Sequence, residues 1–243
     1  MAEWFQEWFD ADYAAIYAGR GPEEAEAAVA MALAHAPGLA QGPVLDLGCG
    51  AGRHLAVLRR SNPQAFGLDL SPELLRSAPA ELRPWLLRGD MRALPLRAAS
   101  LAGICMWFTP FGYFDEAQNR ALLRRLGRLL RPGGVLVLDF LNAGQLRNTL
   151  VPEDEIVRAG IRVVSRRAIE GQRIVKRMEL TRLDTGATRQ VTESVRLYEP
   201  AELRAMAAEA GLAAVREAGD YDGRPFGPDT PRWIGFLERI AVD

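Results

Sequence analysis

The chain is short of several features that would point to a function. It has only two cysteines in 243 residues, Cys49 and Cys105. Both fall in or beside apolar, strand-like runs, so they are expected as buried thiols rather than a disulfide, as in a cytoplasmic protein. No apolar run is long enough to cross a bilayer. The N-terminus is acidic and aromatic, unlike a signal peptide. Net charge is nearly absent: 30 basic against 31 acidic side chains leave −1, so nothing drives the chain toward nucleic acid or an anionic membrane. Lysine is nearly missing too, Lys176 being the only one, and no function is drawn from that bias. No metal site is assigned.

What is present suits one α/β domain with elaborations. The richest stretch is residues 44–54. Val44, Leu45 and Leu47 have the unbroken apolar character of a strand covered on both faces. Gly48, Gly50 and Gly52 then permit backbone geometry that side chains would block, and let a ligand approach the main chain. Asp46 sits among apolar residues, where an ionised carboxylate is costly without partners. Its role is either toward a ligand or only toward the loop's own N–H groups.

Carboxylates recur at further strand ends. Residues 65–71 form a short strand closing on Asp69, 19 positions after Gly50. In a βαβ unit that places a carboxylate beside the glycine loop, where it accepts from ribose hydroxyls. A third strand, 85–88, closes on Asp90 and Met91; a carboxylate suits an exocyclic amine, and a thioether packs on a flat ring. A fourth, 101–108, leads into Thr109, and a fifth, 135–140, contains Asp139 near its end. Strands alternating with helices specify a doubly wound parallel sheet, whose ligands bind outside the carboxyl ends of the strands.

The flanks are less specific. Residues 3–18 carry Trp4, Phe5, Trp8, Phe9, Tyr13, Ile16 and Tyr17 at helical spacing, predicting one aromatic amphipathic helix. It either packs on the body of the domain or closes the stretch from Tyr13 through Tyr17 to Arg20 over a ligand. Alternating runs at 161–165, 173–180 and 191–197 predict an antiparallel β insertion, read either as a substrate lid or as a dimer interface. Asp220, Tyr221 and Asp222 either reach the pocket or serve as turn residues. His54, on the helix behind the glycine loop, is read as structural.

Four motifs, in order and correctly spaced over residues 40–142, resemble the class I S-adenosylmethionine-dependent methyltransferases. They are the D-x-G-x-G-x-G run at 46–52, the strand ending at Asp69, the Gly89-Asp90-Met91 end, and the Arg131-Pro132-Gly133-Gly134 approach to the fifth strand. A nicotinamide dehydrogenase fits poorly, because its G-x-G-x-x-G spacing is absent. The expected fold is α/β: a Rossmann-like doubly wound seven-stranded sheet with an antiparallel last strand, plus N-terminal helices and the β insertion. One methyltransferase domain would span 1–243, with a helical cap at 1–40, a cofactor core at 41–142, the insertion at 151–197, and a C-terminal helix and hairpin at 198–243.

The resemblance implies S-adenosylmethionine as cofactor and roles for matching positions. Asp46 and the backbone of Gly48, Cys49 and Gly50 would surround the methionine part, and Asp69 the ribose. Asp90 would face the adenine amine, with Leu70 and Met91 on the ring, and Phe108 and Thr109 on the sulfonium side. Tyr13, Tyr17 and Arg20 would cover the cofactor, and Tyr113, Asp139 and Tyr221 are the candidates for a base or acceptor anchor. The analogy is strongest with small-molecule N-methyltransferases. A small acceptor methylated on N or O is therefore expected, without a membrane, with nucleic acid disfavoured, and with a homodimer through the insertion as one outcome. An RNA or protein methyltransferase, or a binding protein that has lost catalysis, are the alternatives.

Overall fold

The computed structural model describes residues 3–19 and 21–240. Two short helices, α1 (Trp4–Trp8) and α2 (Ala11–Tyr17), replace the single N-terminal helix that the aromatic spacing predicts. The break falls at Asp10, whose carboxylate accepts from the backbone N–H of Asp12 and Tyr13 and so caps a new helix rather than continuing the old one. α3 (Pro22–His35) starts on a proline at its first position.

The core then follows as β1 (Val44–Leu47), α4 (Arg53–Ser61), β2 (Ala65–Asp69), α5 (Pro72–Ser77), β3 (Leu86–Arg88), β4 (Leu101–Met106), α6 (Glu116–Leu129) and β5 (Leu130–Leu141). Every residue of β1 and β4 is buried, as required of central strands covered on both faces. The Pro-Gly-Gly run expected as a sharp turn before the fifth strand is instead the irregular start of β5: Gly133 has φ +74°, and the pairing with β4 slips between Leu101 and Gly103.

After α7 (Ala143–Thr149) comes the insertion, β6 (Glu153–Arg158), β7 (Ile161–Glu170), β8 (Arg173–Arg182) and β9 (Thr188–Arg196), and the chain returns through α8 (Pro200–Glu209), β10 (Leu212–Ala218) and β11 (Arg232–Arg239). The seven-stranded sheet runs β10-β11-β5-β4-β1-β2-β3, and β11 is antiparallel to both its neighbours. The Rossmann-like sheet with an antiparallel last strand is therefore as expected. The insertion is a separate antiparallel sheet, β6-β7-β8-β9. Its first strand escapes the sequence reading because Glu153, Asp154 and Glu155 break the apolar alternation, as suits a charged edge strand.

One face of the insertion buries Ile161, Val163, Met178 and Leu180 against Trp8 and Ile16. The N-terminal helices are thus sandwiched between the small sheet and the carboxyl ends of the large one. Polar links hold both sides. Trp8 Nε1 donates to Glu193 (2.5 Å), Arg189 and Arg182 pair with Asp10 and Asp12, and Lys176 Nζ donates to Tyr17 Oη (2.9 Å). Toward the core, Ser71 Oγ donates to Phe9 O and Arg92 pairs with Glu3. Both cysteines are free and buried. Among the described residues no helix is long and apolar enough to cross a membrane.

Candidate cofactor site

At the carboxyl ends of β1, β2 and β4, where strand order reverses, lies a cavity of about 420 Å³. Gly48, Gly50 and Gly52 all have positive φ, a turn that lets the chain leave β1 and enter α4 at once. A Cβ on Gly48 would meet Pro110 at 3.0 Å, so glycine is needed for contact as well as conformation. The loop is fixed from β2: Gly48 N donates to Leu68 O (2.8 Å), and Gly50 N donates to Asp69 Oδ2 (2.8 Å).

Asp69 also accepts from Ser71 N on its other oxygen (2.8 Å). Each oxygen so engaged keeps acceptor capacity toward the cavity it lines. Burial pushes its carboxyl above the usual range, and the three backbone N–H groups around it oppose that shift. Asp90, also on the wall, is held by Arg92 through its side chain and its backbone N–H. The Arg92 guanidinium keeps that carboxyl below its ordinary value.

Asp46 differs from both. It is 1% exposed and sits behind the wall, not on it. Its Oδ2 has no hydrogen-bond partner among the described residues. Burial first, then the neighbouring Asp69, push its carboxyl up to about 7. Cys49 lines the cavity, yet burial and the same carboxylates push its thiol up, so it stays protonated and unreactive.

The opposite wall is aromatic. Phe5, Phe9, Tyr13 and Tyr17 line it from the N-terminal helices, and Phe108 and Tyr113 from the segment after β4. The Tyr113 ring stacks on Phe5 and Phe9, with centroids 5.9 and 6.1 Å apart. Leu70 and Met91 complete the apolar lining. Arg20 lies outside the described residues.

Three further residues assigned to the site, besides Asp46, stand off its wall. Thr109 is buried, and its hydroxyl accepts from Arg232 (2.9 Å). Asp139 is wholly buried, accepting from Phe108 N (2.6 Å), Tyr221 Oη (2.5 Å) and Arg232. Tyr221, its donor, has its phenol pushed up by burial and by Asp139, so it holds its proton. Neither Asp139 nor Tyr221 reaches the cavity, so of the three base or anchor candidates only Tyr113 faces it.

Sequence reading also missed contributors. Arg53, the first residue of α4, lines the cavity and stands 5.5 Å over the Phe108 ring. One of its amino groups pairs with Glu24 (2.5 Å), while the other is buried with no hydrogen-bond partner among the described residues. The signal was available: an arginine opening the helix after a glycine loop sits where a helix N-terminus already favours anions. His54, read as structural, lines the cavity with its ring stacked on Trp107 at 5.2 Å.

Residues 44–134 match the family described as methyltransferase domain. The dTDP-3-amino-3,4,6-trideoxy-alpha-D-glucopyranose N,N-dimethyltransferase of Streptomyces venezuelae is 29% identical, over 87% of this chain and 93% of its own. The S-adenosylmethionine-bound amino pentose methyltransferase CalS10 of Micromonospora echinaspora superposes with a TM-score of 0.67 at 26% identity, covering 93% and 96% of the two chains. The methyltransferase CcbJ of Streptomyces caelestis has the same fold, with a TM-score of 0.78 at 22% identity over 96% and 98%. Some curated relatives align over only 38–44% of their own length. The four motifs read from the sequence fall on this matched span, 44–134, so the methyltransferase-domain resemblance covers the cofactor-site part of the chain.

Proposed function

We propose that this chain is an S-adenosylmethionine-dependent methyltransferase that methylates a nitrogen or oxygen of a small molecule, an amino sugar being the favoured acceptor. The observation that carries this reading is one cavity combining the glycine loop, two strand-end carboxylates and an aromatic wall. Its size lies within the ordinary range for small-molecule sites. The relatives that align over nearly the whole chain support the acceptor class.

The residues fit the cofactor. Asp69 has acceptor capacity for a ribose, and Asp90 for an exocyclic amine, with Leu70 and Met91 placed to flank a flat ring. The unpartnered amino group of Arg53 suits a carboxylate, while Asp46 stands behind the loop with its carboxyl pushed up to about 7. Tyr13 and Tyr17 cover the site. When bound, S-adenosylmethionine supplies an electrophilic methyl group on a sulfonium whose thioether departs without acid assistance. The protein then has mainly to align the partners, worth up to roughly 7–11 kcal/mol in favourable cases, and to exclude water with its aromatic roof. An amine arriving neutral needs no strong base, and Tyr113, at the wall, would orient it.

We further assign the protein to the cytoplasm, which suits its two unpaired thiols. A second copy would add along β6, one of the two edge strands of the small sheet, and sedimentation velocity separates one copy from two.

The test of function is calorimetric titration with S-adenosylhomocysteine, then methyl transfer to a panel of amino sugars, nucleotide-linked amino sugars and amino acids. Binding followed by transfer to an amine supports the reading. Tight binding with no transfer across the panel would leave a cofactor-binding protein without this activity.

A further inference from the structure

Phe108 and Thr109 are consecutive non-glycine residues in the left-handed region, with φ +63° and +66°. Each such residue is uphill, and a β-branched threonine markedly so. The pair persists only if its surroundings hold it. Those surroundings come from β5 and β11, remote in sequence. Asp139 Oδ2 accepts from Phe108 N (2.6 Å), and the Asp139 backbone carbonyl accepts from Thr109 N (3.1 Å). One residue thereby takes both N–H groups of the strained pair. Arg232 pairs with Asp139 through Nε and donates through Nη2 to the Thr109 hydroxyl (2.9 Å). Its guanidinium also lies 5.2 Å from the Phe108 ring centroid. Tyr221 donates to the same Asp139 oxygen as Phe108 N.

We infer that the buried Asp139–Arg232 pair, with Tyr221, is a positioning clamp that holds Phe108–Thr109 left-handed and so keeps the Phe108 ring on the cavity wall. This replaces any role of Asp139 or Tyr221 as a base. An ion pair out of water is weak evidence for stability. The pair's contacts converge instead on one strained dipeptide of the wall. The inference rests on the proposed cofactor site only for its consequence; the clamp itself belongs to the protein without ligand.

The experiment compares the unsubstituted protein, Asp139→Asn, Thr109→Gly and the double variant. Amide hydrogen exchange without ligand reads the clamp directly. In Asp139→Asn one of the two acceptor positions becomes an NH₂ donor, so exchange at the Phe108 and Thr109 amides should rise at least about tenfold while the central strands β1 and β4 stay protected. Equal protection of these two amides before and after substitution would overturn the clamp. Binding of S-adenosylhomocysteine reads the consequence. Asp139→Asn should weaken it about tenfold, one factor of ten in Kd. Thr109→Gly in that background should restore most of the affinity, because glycine enters the left-handed region without penalty. A merely structural Asp139 would instead lower the melting temperature and affinity together, with no rescue by glycine, and that result would also overturn the inference. Failure of the unsubstituted protein to bind S-adenosylhomocysteine would count against the cofactor reading alone, since the exchange result still decides the clamp.

Discussion

Asp69 Oδ2 accepts a 2.8 Å hydrogen bond from the Gly50 backbone, joining the end of β2 to the glycine loop that follows β1. The carboxylate assigned to the ligand is therefore also the one that shapes the loop. Asp69→Ala removes both functions, whereas Asp69→Asn keeps an acceptor for one of the two N–H groups it now serves. We expect Asp69→Ala to weaken S-adenosylhomocysteine binding at least about tenfold, and Asp69→Asn less, on the scale of roughly one to two hydrogen bonds. Calorimetry checks this, and unchanged affinity for Asp69→Ala would remove the ribose assignment.

Asp46 predicts a pH dependence of stability in the ligand-free protein. Its carboxyl titrates near 3.8 when unfolded and is pushed to about 7 in the fold, with Asp69 adding to burial and Arg53 opposing it. Between those values the folded state binds the extra proton, so stability falls as pH rises from about 4 to 7 and then levels. Asp69, raised in the same direction, adds to the slope. Asp46→Asn should flatten that slope and raise the melting temperature at pH 8 relative to the unsubstituted protein. A thermal melt series from pH 5 to 8 measures it, and parallel curves would show that Asp46 is ionised throughout.

These two carboxylates mark what was legible in the chain. Asp46, Asp69 and Asp90 each close or flank a short apolar run, and the glycines follow at once, so local pattern placed them at one end of a parallel sheet. The Asp139–Arg232 pair was not legible, because its partners lie on β5 and β11 and meet only when those strands pair antiparallel. Asp139 looked like one more strand-end ligand group, yet its side chain turns to the strained residues beside it. Arg173 was equally hidden. Its guanidinium donates to the carbonyls of Gly112, Tyr113 and Phe114, fastening the insertion to the segment that carries Tyr113. The aromatic helix was seen as a stripe, but not its break at Asp10, since a capping aspartate inside an amphipathic pattern reads equally as a solvent-facing residue.

The sandwiched helices give a third prediction. Trp8 is 1% exposed, sits between Tyr13 and the insertion, and donates to Glu193. Truncating so buried a ring costs about 3–5 kcal/mol where the whole fold feels it. Here α1 and α2 are peripheral, so we expect Trp8→Ala to loosen them locally. Hydrogen exchange should rise in residues 4–17 and in β8 and β9 while the seven-stranded core keeps its protection, and S-adenosylhomocysteine affinity should drop. Global unfolding without prior local exchange would show that the roof is not a separable unit.

Arg53 allows the two ends of the ligand to be tested apart. One amino group is spent on Glu24, and the other is buried beside the cavity with nothing to donate to among the described residues. An unsatisfied buried donor of this kind is costly, and it lies on the first turn of α4, whose free N–H groups favour negative charge. A carboxylate at that place would satisfy both. S-adenosylhomocysteine carries such a group on its amino-acid end, and adenosine carries none. Arg53→Met keeps an unbranched apolar stem and removes the donor together with the guanidinium over Phe108. We expect it to weaken S-adenosylhomocysteine about tenfold or more, the scale of a hydrogen bond to a charged group, while adenosine binds as before. An equal loss for both ligands would mean that the substitution distorts the glycine loop. No loss for either would mean that the carboxylate is held elsewhere, and the open donor of Arg53 would then face the acceptor instead.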